Sequence, residues 1–355
     1  MARWLSPLMA FCLSFMIIVG LAPALGLQID RQIDFWLLWM GAMLLLALPL
    51  IYLEIALARR SKSSALHALS ALTRDADASP QWRLVGWLAV VFIAFLAGAL
   101  LSNIAQMALA ATQFNINSQL IFGASAVAAV ALSFVNRQIL IAVTAVGVIA
   151  SLIISNINGT ALQPWHVTAV EFSEWGKATI LALVASGLGL GIYWQSQLNQ
   201  PQSAAPATHA VLPIWLAQLL AVGAFGFFAV NSPLPAYSVW GTAIVTAALL
   251  LQLAKEQLQQ RQIAEPILWL ILFAALLVWA VPGGQAIFNP LLMITGLLIC
   301  LIYSIFVGWM MKISHLRKAM NFSNELFYNL WRIAVRLVIP LSIIVALVAY
   351  IGQLI

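Results

Sequence analysis

The sequence predicts an all-α protein that crosses a membrane about eleven times, and three observations lead to this fold class. Hydrophobic residues make up 64% of the chain and charged residues only 7%, whereas a soluble domain carries roughly 25% charged residues. Apolar runs of about 20 residues, the length that a bilayer requires, recur along the whole chain. The few charges fall mostly between these runs.

Eleven apolar runs can be assigned in order to membrane-spanning helices joined by short polar connections. They cover residues 4–27, 35–58, 83–111, 117–135, 138–157, 175–197, 211–230, 236–254, 264–281, 288–311 and 331–352. Because they leave little chain for anything else, we expect residues 1–355 to form a single transmembrane domain with the lipid bilayer as its main partner.

The basic residues predict an orientation. If the N-terminus lies inside, only Arg31 and Lys177 fall outside, and every other Lys and Arg lies on or near the cytoplasmic side. Those inner residues are Arg3, Arg59, Arg60, Lys62, Arg74, Arg83, Arg137, Lys255, Arg261, Lys312, Arg317, Lys318, Arg332 and Arg336. Such asymmetry follows the positive-inside rule. We therefore expect a multi-pass protein of the inner (cytoplasmic) membrane whose C-terminus lies outside.

Several classes of function are disfavoured. The net charge is +6, but no basic patch is interleaved with aromatic residues, so we expect no nucleic-acid partner. No HExxH, CxxC, P-loop or GxSxG pattern occurs, which argues against an enzyme, a bound metal or a cofactor. Cys12 and Cys300 both lie in apolar runs and are interpreted as small buried hydrophobic residues.

Glu54 is the acidic residue that we place inside a predicted span, in the stretch LLLALPLIYLEIALARR (44–60). An ionised side chain at bilayer depth costs at least ~2.5 kcal/mol unless it faces protein or water, so Glu54 is a candidate functional residue. In one interpretation it caps the freed N–H groups of an unwound helix. In the other it carries a proton, because a carboxylate kept away from water holds its proton more readily.

Two apolar runs contain clusters of helix-breaking residues, GLAPALG at 20–26 and ASGLGLG at 185–191. Glycine weakens a helix by roughly 1 kcal/mol and proline by ~3 kcal/mol relative to alanine. Runs one and six begin corresponding halves, and interrupted spans in matching positions indicate the binding site of an inverted-repeat transporter. The alternative is that these glycines only allow close helix packing.

These clusters predict a 5+5 inverted repeat with interrupted helices 1 and 6. Repeat one covers 4–157 and repeat two covers 175–311. An extra eleventh helix follows at 331–352, and residues 199–209 form a polar linker between the halves.

Four stretches together resemble one family. PLIYLEIALARR (49–60) is similar to the second transmembrane helix of the neurotransmitter:sodium symporter family. FSEWGKATILALVASGLGLGIYWQSQ (172–197) resembles its interrupted sixth helix, and LLLQLAKEQLQQR (249–261) the inner end of its eighth. FVGWMMKISHLRKAMNFSNELFYNLWRIAVRLVIP (306–340) is similar to the tenth helix, inner loop and eleventh helix. The resemblance implies the leucine-transporter-type fold, in a shortened prokaryotic member.

The resemblance also implies a central site, formed by Gly20, Leu21 and Pro23 of helix 1, Leu100 of helix 3, Ser186, Gly187 and Gly189 of helix 6, Thr242 of helix 8, and Glu54. This sequence departs from the family at that site. The region IIVGLAPALGLQI (17–29) has no asparagine or arginine, and Leu100 stands where the family has its substrate-binding tyrosine. At most Gly20 and Thr242 remain of a sodium site.

The implied function is secondary transport of a small neutral, apolar or amino-acid-like solute, with H⁺ or Na⁺ as the coupling ion and without classical sodium coupling. The alternative, from a different class, is a transport-inactive member of the family that acts as a membrane scaffold, sensor or complex subunit.

Other polar residues in or near the runs have structural interpretations. Asn103 and Gln106 are expected to hydrogen-bond between helices. Arg332 and Arg336 are expected to reach toward lipid headgroups, and Trp194 to anchor its helix at the inner interface. Residues 61–82 alternate apolar and polar side chains, which predicts a short helix on the membrane surface.

Overall fold

The apolar runs form helices because, in lipid, a chain must satisfy its own backbone N–H and C=O groups. The computed structural model describes residues 4–27, 32–112, 117–157, 165–194, 206–229, 234–322 and 324–354. Within these ranges the regular structure is helical, apart from one isolated bridge between Gln32 and His166. The predicted all-α class is confirmed.

Every predicted run coincides with a helix, and two short connecting helices, α3 and α12, are added. The helices of the described residues are α1 Leu5–Leu21, α2 Ile33–Ser61, α3 Ala65–Asp75, α4 Leu84–Thr112, α5 Ser118–Leu132, α6 Arg137–Ile157, α7 Phe172–Leu183, α8 Thr208–Ala224, α9 Ala236–Gln260, α10 Glu265–Leu277, α11 Gln285–Met310, α12 Ile313–Met320 and α13 Glu325–Ile351. Seven of those helices are long and apolar enough to cross a membrane, and α1, α5 and α10 are shorter apolar helices.

The first run is not divided as the sequence predicts. Helix α1 is continuous to Leu21, and the irregular stretch forms its end: a 3₁₀ turn at Pro23–Leu25 is followed by Gly26 at φ +60°. Leu27 N–H donates to Ala22 O (3.2 Å) and Gly26 N–H to Pro23 O (3.0 Å). This is the Schellman arrangement that closes helices at a glycine. GLAPALG therefore terminates α1, and no second helical half follows it in the described residues.

The core is built around α1, α4 and α9. Helix α9 packs against α4 and α6, and α1 packs against α8. Helix α2 contains a π-helical turn at Met43–Ala47, and Trp215 of α8 donates its Nε1–H to the Met43 carbonyl (2.9 Å). A tryptophan thus links α2 and α8.

Helix α3 is where the sequence predicts a surface helix, but one face of it is covered by protein. Leu66 and Leu69 are buried, and a Cβ placed on Gly86 of α4 would lie 2.7 Å from the Leu69 Cδ1 atom. The apolar face of α3 therefore packs against the start of α4. The periodicity predicted the amphipathic helix correctly, but could not indicate that protein covers it.

Candidate functional site

Helix α7 breaks after Leu183, and residues 184–191 form consecutive turns before helical structure resumes at Ile192. We call residues 184–191 the broken segment. Its three glycines, Gly187, Gly189 and Gly191, have φ values of +66°, +78° and +70°. A side chain at such angles costs roughly 1–2 kcal/mol, so the alternating glycines account for the break that the sequence predicts in run six.

The carbonyl groups freed by this break are satisfied by side chains from other parts of the protein. The acceptors are the carbonyls of Ser186, Leu188 and Leu190. Ser186 O accepts from Tyr193 Oη (2.8 Å) and Gln218 Nε2 (3.2 Å), Leu188 O from Cys300 Sγ (3.3 Å) and Leu190 O from Gln257 Nε2 (3.1 Å). Buried backbone groups need such partners, so α8, α9 and α11 together hold the broken segment in place.

Glu54 of α2 accepts a hydrogen bond from a backbone N–H group of the broken segment. Its side chain is buried, with 2% of its surface exposed, and its Oε1 atom accepts the backbone N–H of Gly189. The other oxygen, Oε2, is buried and has no hydrogen-bond partner among the described residues. Glu54 therefore points at the break in run six and not at lipid, as the bracing interpretation requires.

The packing around the broken segment leaves no room for larger residues. A Cβ on Gly189 would lie 3.0 Å from Ile299 Cγ2 and 3.2 Å from Cys300 Sγ, and a Cβ on Gly191 would lie 2.6 Å from the Cβ of Ala65. Cβ atoms in proteins essentially never show a contact as short as the one at Gly191, and the contacts at Gly189 are tighter than most real Cβ contacts. The glycines therefore serve both the backbone angles and the close contact with α3 and α11.

The predicted site residues of α1 and α4 lie against each other. A Cβ on Gly20 would lie 2.8 Å from Leu100 Cδ1, Leu21 is fully buried, and Pro23 is exposed at the helix end. The Gly20 carbonyl accepts the Nδ2–H of Asn103 (3.0 Å), and the same nitrogen donates to Asn289 Oδ1 (2.9 Å). Asn103 thus joins α1, α4 and α11, consistent with an interhelical role.

The remaining predicted site residues are held by neighbours of their own. Ser186 is buried, and its hydroxyl contacts the sulfur of Met43 (3.8 Å). The Thr242 hydroxyl donates to the carbonyl of Ser238 in its own helix (2.7 Å) and packs against Gly147 of α6. Gly20, the other residue that could remain of a sodium site, packs against Leu100 of α4.

These contacts do not suit a sodium ion. Unwound carbonyls bind such ions in transporters whose helices are interrupted. Here the Gly20 carbonyl accepts from Asn103, and the Thr242 hydroxyl donates within its own helix. In the broken segment, the carbonyls of Ser186, Leu188 and Leu190 accept from side chains. In the described ranges no three His, Cys, Asp or Glu residues cluster to hold a metal.

A cavity of about 400 Å³ lies at the far end of α1, within the usual range of small-molecule pockets. Its walls come from the end of α1, the start of α11 and the end of α13. The polar side chains that line it are Gln285, Asn289, Tyr350 and Gln353. The cavity contains no charged residue, and no local sequence pattern marks it because its walls are distant in the chain.

Comparison with known proteins identifies the fold. No protein-family model and no curated protein matches the sequence. Among solved structures, the chain is similar to MhsT in complex with L-phenylalanine, with a TM-score of 0.65 over 98% of both chains at 14% sequence identity. MhsT is a transporter of the neurotransmitter:sodium symporter family with the leucine-transporter-type fold. This chain has the leucine-transporter-type fold.

The match confirms the predicted all-α class and the predicted leucine-transporter-type fold. The match covers nearly the whole chain, so the helices of this chain follow the order of the leucine-transporter-type fold. The helix order also explains why Glu54 of α2 can reach the broken segment, 135 residues later in the chain.

Several residues at the broken segment are not marked by the sequence. Gln218 and Gln257 each donate to a freed carbonyl, yet neither belongs to a recognisable motif. Cys300 is buried as predicted and also donates a hydrogen bond. Trp194 is fully buried, so the prediction that it anchors the helix at the interface is wrong. Gln195 and Gln197 lie outside the described residues.

Proposed function

We propose that this protein is a secondary transporter of the inner (cytoplasmic) membrane that moves a small neutral, apolar or amino-acid-like solute. The observation that carries the proposal is the broken segment in mid-span, with Glu54 bonded to its Gly189 amide. Discontinuous helices form the substrate sites of transporters built from inverted repeats. The predicted repeats, 4–157 and 175–311, and the extra helix at 331–352 belong to this proposal.

The solute class follows from the side chains around the proposed site. Leu21 of α1, Leu100 of α4 and the buried Leu183, Val184 and Ala185 near the break are apolar. A charged solute would need paired charges there, because unpaired charge in an apolar site is costly. MhsT binds L-phenylalanine, which makes apolar amino acids the first solutes to test. Ser186, Gly187, Gly189 and Thr242 remain proposed contributors.

Uptake into proteoliposomes tests the proposal. The purified chain is reconstituted and offered labelled L-phenylalanine and a panel of small apolar and neutral solutes. Gradients of sodium or protons are imposed separately. We expect uptake of at least one solute above empty liposomes, and the same uptake when potassium replaces sodium. Strict dependence on sodium would contradict the proposed absence of classical sodium coupling, and no uptake of any solute would contradict transport itself.

Substitutions of Glu54 separate its two proposed roles. Glu54→Gln keeps an oxygen that can accept the Gly189 N–H, whereas Glu54→Ala leaves that buried donor unsatisfied. Leaving a hydrogen-bonding group unsatisfied costs about 1–3 kcal/mol. We expect Glu54→Ala to lower the melting temperature in detergent clearly and Glu54→Gln to lower it little. Glu265→Gln, at an exposed acidic residue at the start of α10, is the matched control.

The proton role has a separate measurement. If Glu54 carries a proton, uptake driven by an imposed pH gradient is lost in Glu54→Gln while the fold is retained. If Glu54 only braces the broken segment, pH-gradient dependence in Glu54→Gln equals that of the wild type. We expect the second result, because Oε1 of Glu54 accepts the N–H of Gly189 and so braces the broken segment.

A second candidate function is a transport-inactive scaffold, sensor or complex subunit. The close contact of Gly20 with Leu100 and the side-chain donors on the freed carbonyls favour it. The discriminating experiment is mild solubilisation of native membrane and purification of the tagged chain. A stoichiometric partner, together with no solute uptake, selects this function over transport.

A further inference from the structure

Helices α11 and α13 meet through two irregular turns. The last turn of α11, Phe306–Met310, and the turn Ala334–Val338 of α13 both have π-helical geometry. Arg336 Nε–H donates to the carbonyl of Gly308 (2.6 Å), and Trp309 Nε1–H donates to the carbonyl of Arg336 (3.2 Å). Such π turns often mark functional sites. The reciprocal bonds fix the position of Arg336 relative to α11.

Gly308 lets the arginine lie against the helix. A Cβ at that position would lie 3.1 Å from Arg336 Cγ and 3.3 Å from Arg336 Cα. The guanidinium carbon is 5.9 Å from the centre of the Trp309 ring, in the geometry of a cation–π contact. The Nε of Arg336 is thus hydrogen-bonded to Gly308, and its guanidinium group lies over the Trp309 ring. A guanidinium has five N–H donors, and the other four have no hydrogen-bond partner among the described residues.

This region has more positive than negative charge. From residue 285 to the end of the sequence, the basic residues are Lys312, Arg317, Lys318, Arg332 and Arg336, and the acidic residue is Glu325. Glu325 is paired with Arg317 at 2.6 Å. Arg332 lies one turn before Arg336 on α13 and is half-buried. No ion pair to Arg332 or Arg336 occurs anywhere in the described residues, which leaves both arginines open to an anion from another molecule.

The surroundings of the arginine pair indicate lipid. Trp309 is 58% exposed, and Leu337 and Leu341 of α13 are also exposed. Side chains on a helix tilt toward its N-terminus, which directs Arg332 and Arg336 toward the end of α13 that we predict to face the cytoplasm. Tryptophan and arginine are typical of the interface between hydrocarbon and headgroups.

We propose that Arg332, Arg336 and Trp309 form a binding site for the phosphate of an anionic phospholipid headgroup. Arginine suits this ligand, because its planar donors match phosphate oxygens in pairs. The acyl chains would lie along the exposed apolar surface of α11 and α13. This inference goes beyond the proposed transport and does not depend on it, since the site faces lipid and is distant in sequence from the broken segment.

The test is lipid binding by the purified, delipidated full-length chain. Native mass spectrometry and thermal melting are recorded with phosphatidylglycerol, with phosphatidylcholine and with inorganic phosphate. We expect phosphatidylglycerol to bind and to raise the melting temperature, with a much smaller effect of phosphatidylcholine and none of inorganic phosphate. Equal effects of the two lipids would overturn the assignment, and so would an equal effect of free phosphate.

Charge-neutralising variants locate the site. Each basic residue near an anionic surface contributes about 1 kcal/mol, so Arg332→Gln and Arg336→Gln are each expected to weaken phosphatidylglycerol binding about fivefold. Lys318→Gln is the matched control, because Lys318 is exposed on the neighbouring helix α12. Arg332→Gln removes no hydrogen bond of the described structure. Its lipid binding therefore tests the proposed site even if Arg336→Gln fails to fold. Equal weakening by Lys318→Gln would overturn the proposal.

Discussion

At the scale of single residues, Gly191 shows why the broken segment tolerates so little change. Its φ of +70° is unfavourable for any other residue, and α3 passes so close that a Cβ would meet Ala65 at 2.6 Å. Glycine meets both constraints because it carries a hydrogen where every other residue carries a Cβ atom. The position combines backbone strain and crowding, and each adds to the cost of substitution.

Gly191→Ala is therefore expected to destabilise the protein by about 2–5 kcal/mol, the sum of a left-handed conformation at roughly 1–2 kcal/mol and overpacking at roughly 1–3 kcal/mol. The measurement is thermal melting of the purified chain. Gly123→Ala is the control, because Gly123 is inside α5 and a Cβ there meets nothing within 4 Å. A loss of stability no greater than that of the control would contradict the described conformation of the broken segment.

Some residues of the broken segment and its surroundings could be predicted from the sequence, and others could not, for physical reasons. Glu54 was identifiable because a lone carboxylate in an apolar run is costly, and the glycines of run six because they weaken a helix. Gln218 and Gln257 were not, because a side chain that caps a carbonyl on a distant helix leaves no local pattern. Arg336 was expected to reach toward lipid headgroups, but its bond to Gly308 depends on how α11 and α13 meet.

At the scale of elements, the end of α1 is where prediction and structure differ most. A proline followed by a glycine weakens a helix wherever it occurs, but composition alone does not distinguish a break from an end. The tertiary contacts determine that α1 ends here. Asn103 of α4 donates a hydrogen bond to the Gly20 carbonyl and another to the side chain of Asn289 in α11. The amide of Asn103 therefore joins three helices at the level where α1 stops.

A double-mutant cycle measures this junction. Asn103→Ala is expected to cost about 1–3 kcal/mol, because it also leaves the buried Gly20 carbonyl without its donor. Asn289→Ala should cost less, and the coupling energy of the two should be near ~0.6 kcal/mol, the mean for hydrogen bonds between membrane helices. Gln106→Ala is the control. Contrary to the prediction, Gln106 of the same helix is exposed and makes no interhelical hydrogen bond among the described residues. Additive effects of Asn103 and Asn289 would contradict their pairing.

At the scale of the whole molecule, the helix order and the fold follow from the sequence and the comparison, whereas the orientation rests on charge alone. The apolar runs fixed the number and order of the helices because bilayer thickness sets their length. The positive-inside rule places the α2–α4 connection inside and residues 165–171 outside. With eleven spans, the end of α13 also lies outside, so orientation and span count can be tested together.

Single cysteines at three exposed positions provide this test. In a Cys12→Ala, Cys300→Ser background, which keeps a donor for the Leu188 carbonyl, cysteine replaces Gln81, Val170 or Gln353, all exposed. We expect a membrane-impermeant maleimide to label Val170→Cys and Gln353→Cys in intact cells, and Gln81→Cys only after permeabilisation. The reverse pattern would show the opposite orientation. Labelling of Val170→Cys without Gln353→Cys would instead place the two positions on opposite sides of the membrane. That result requires an odd number of crossings between them, so one of the six predicted spans after residue 170 would not cross.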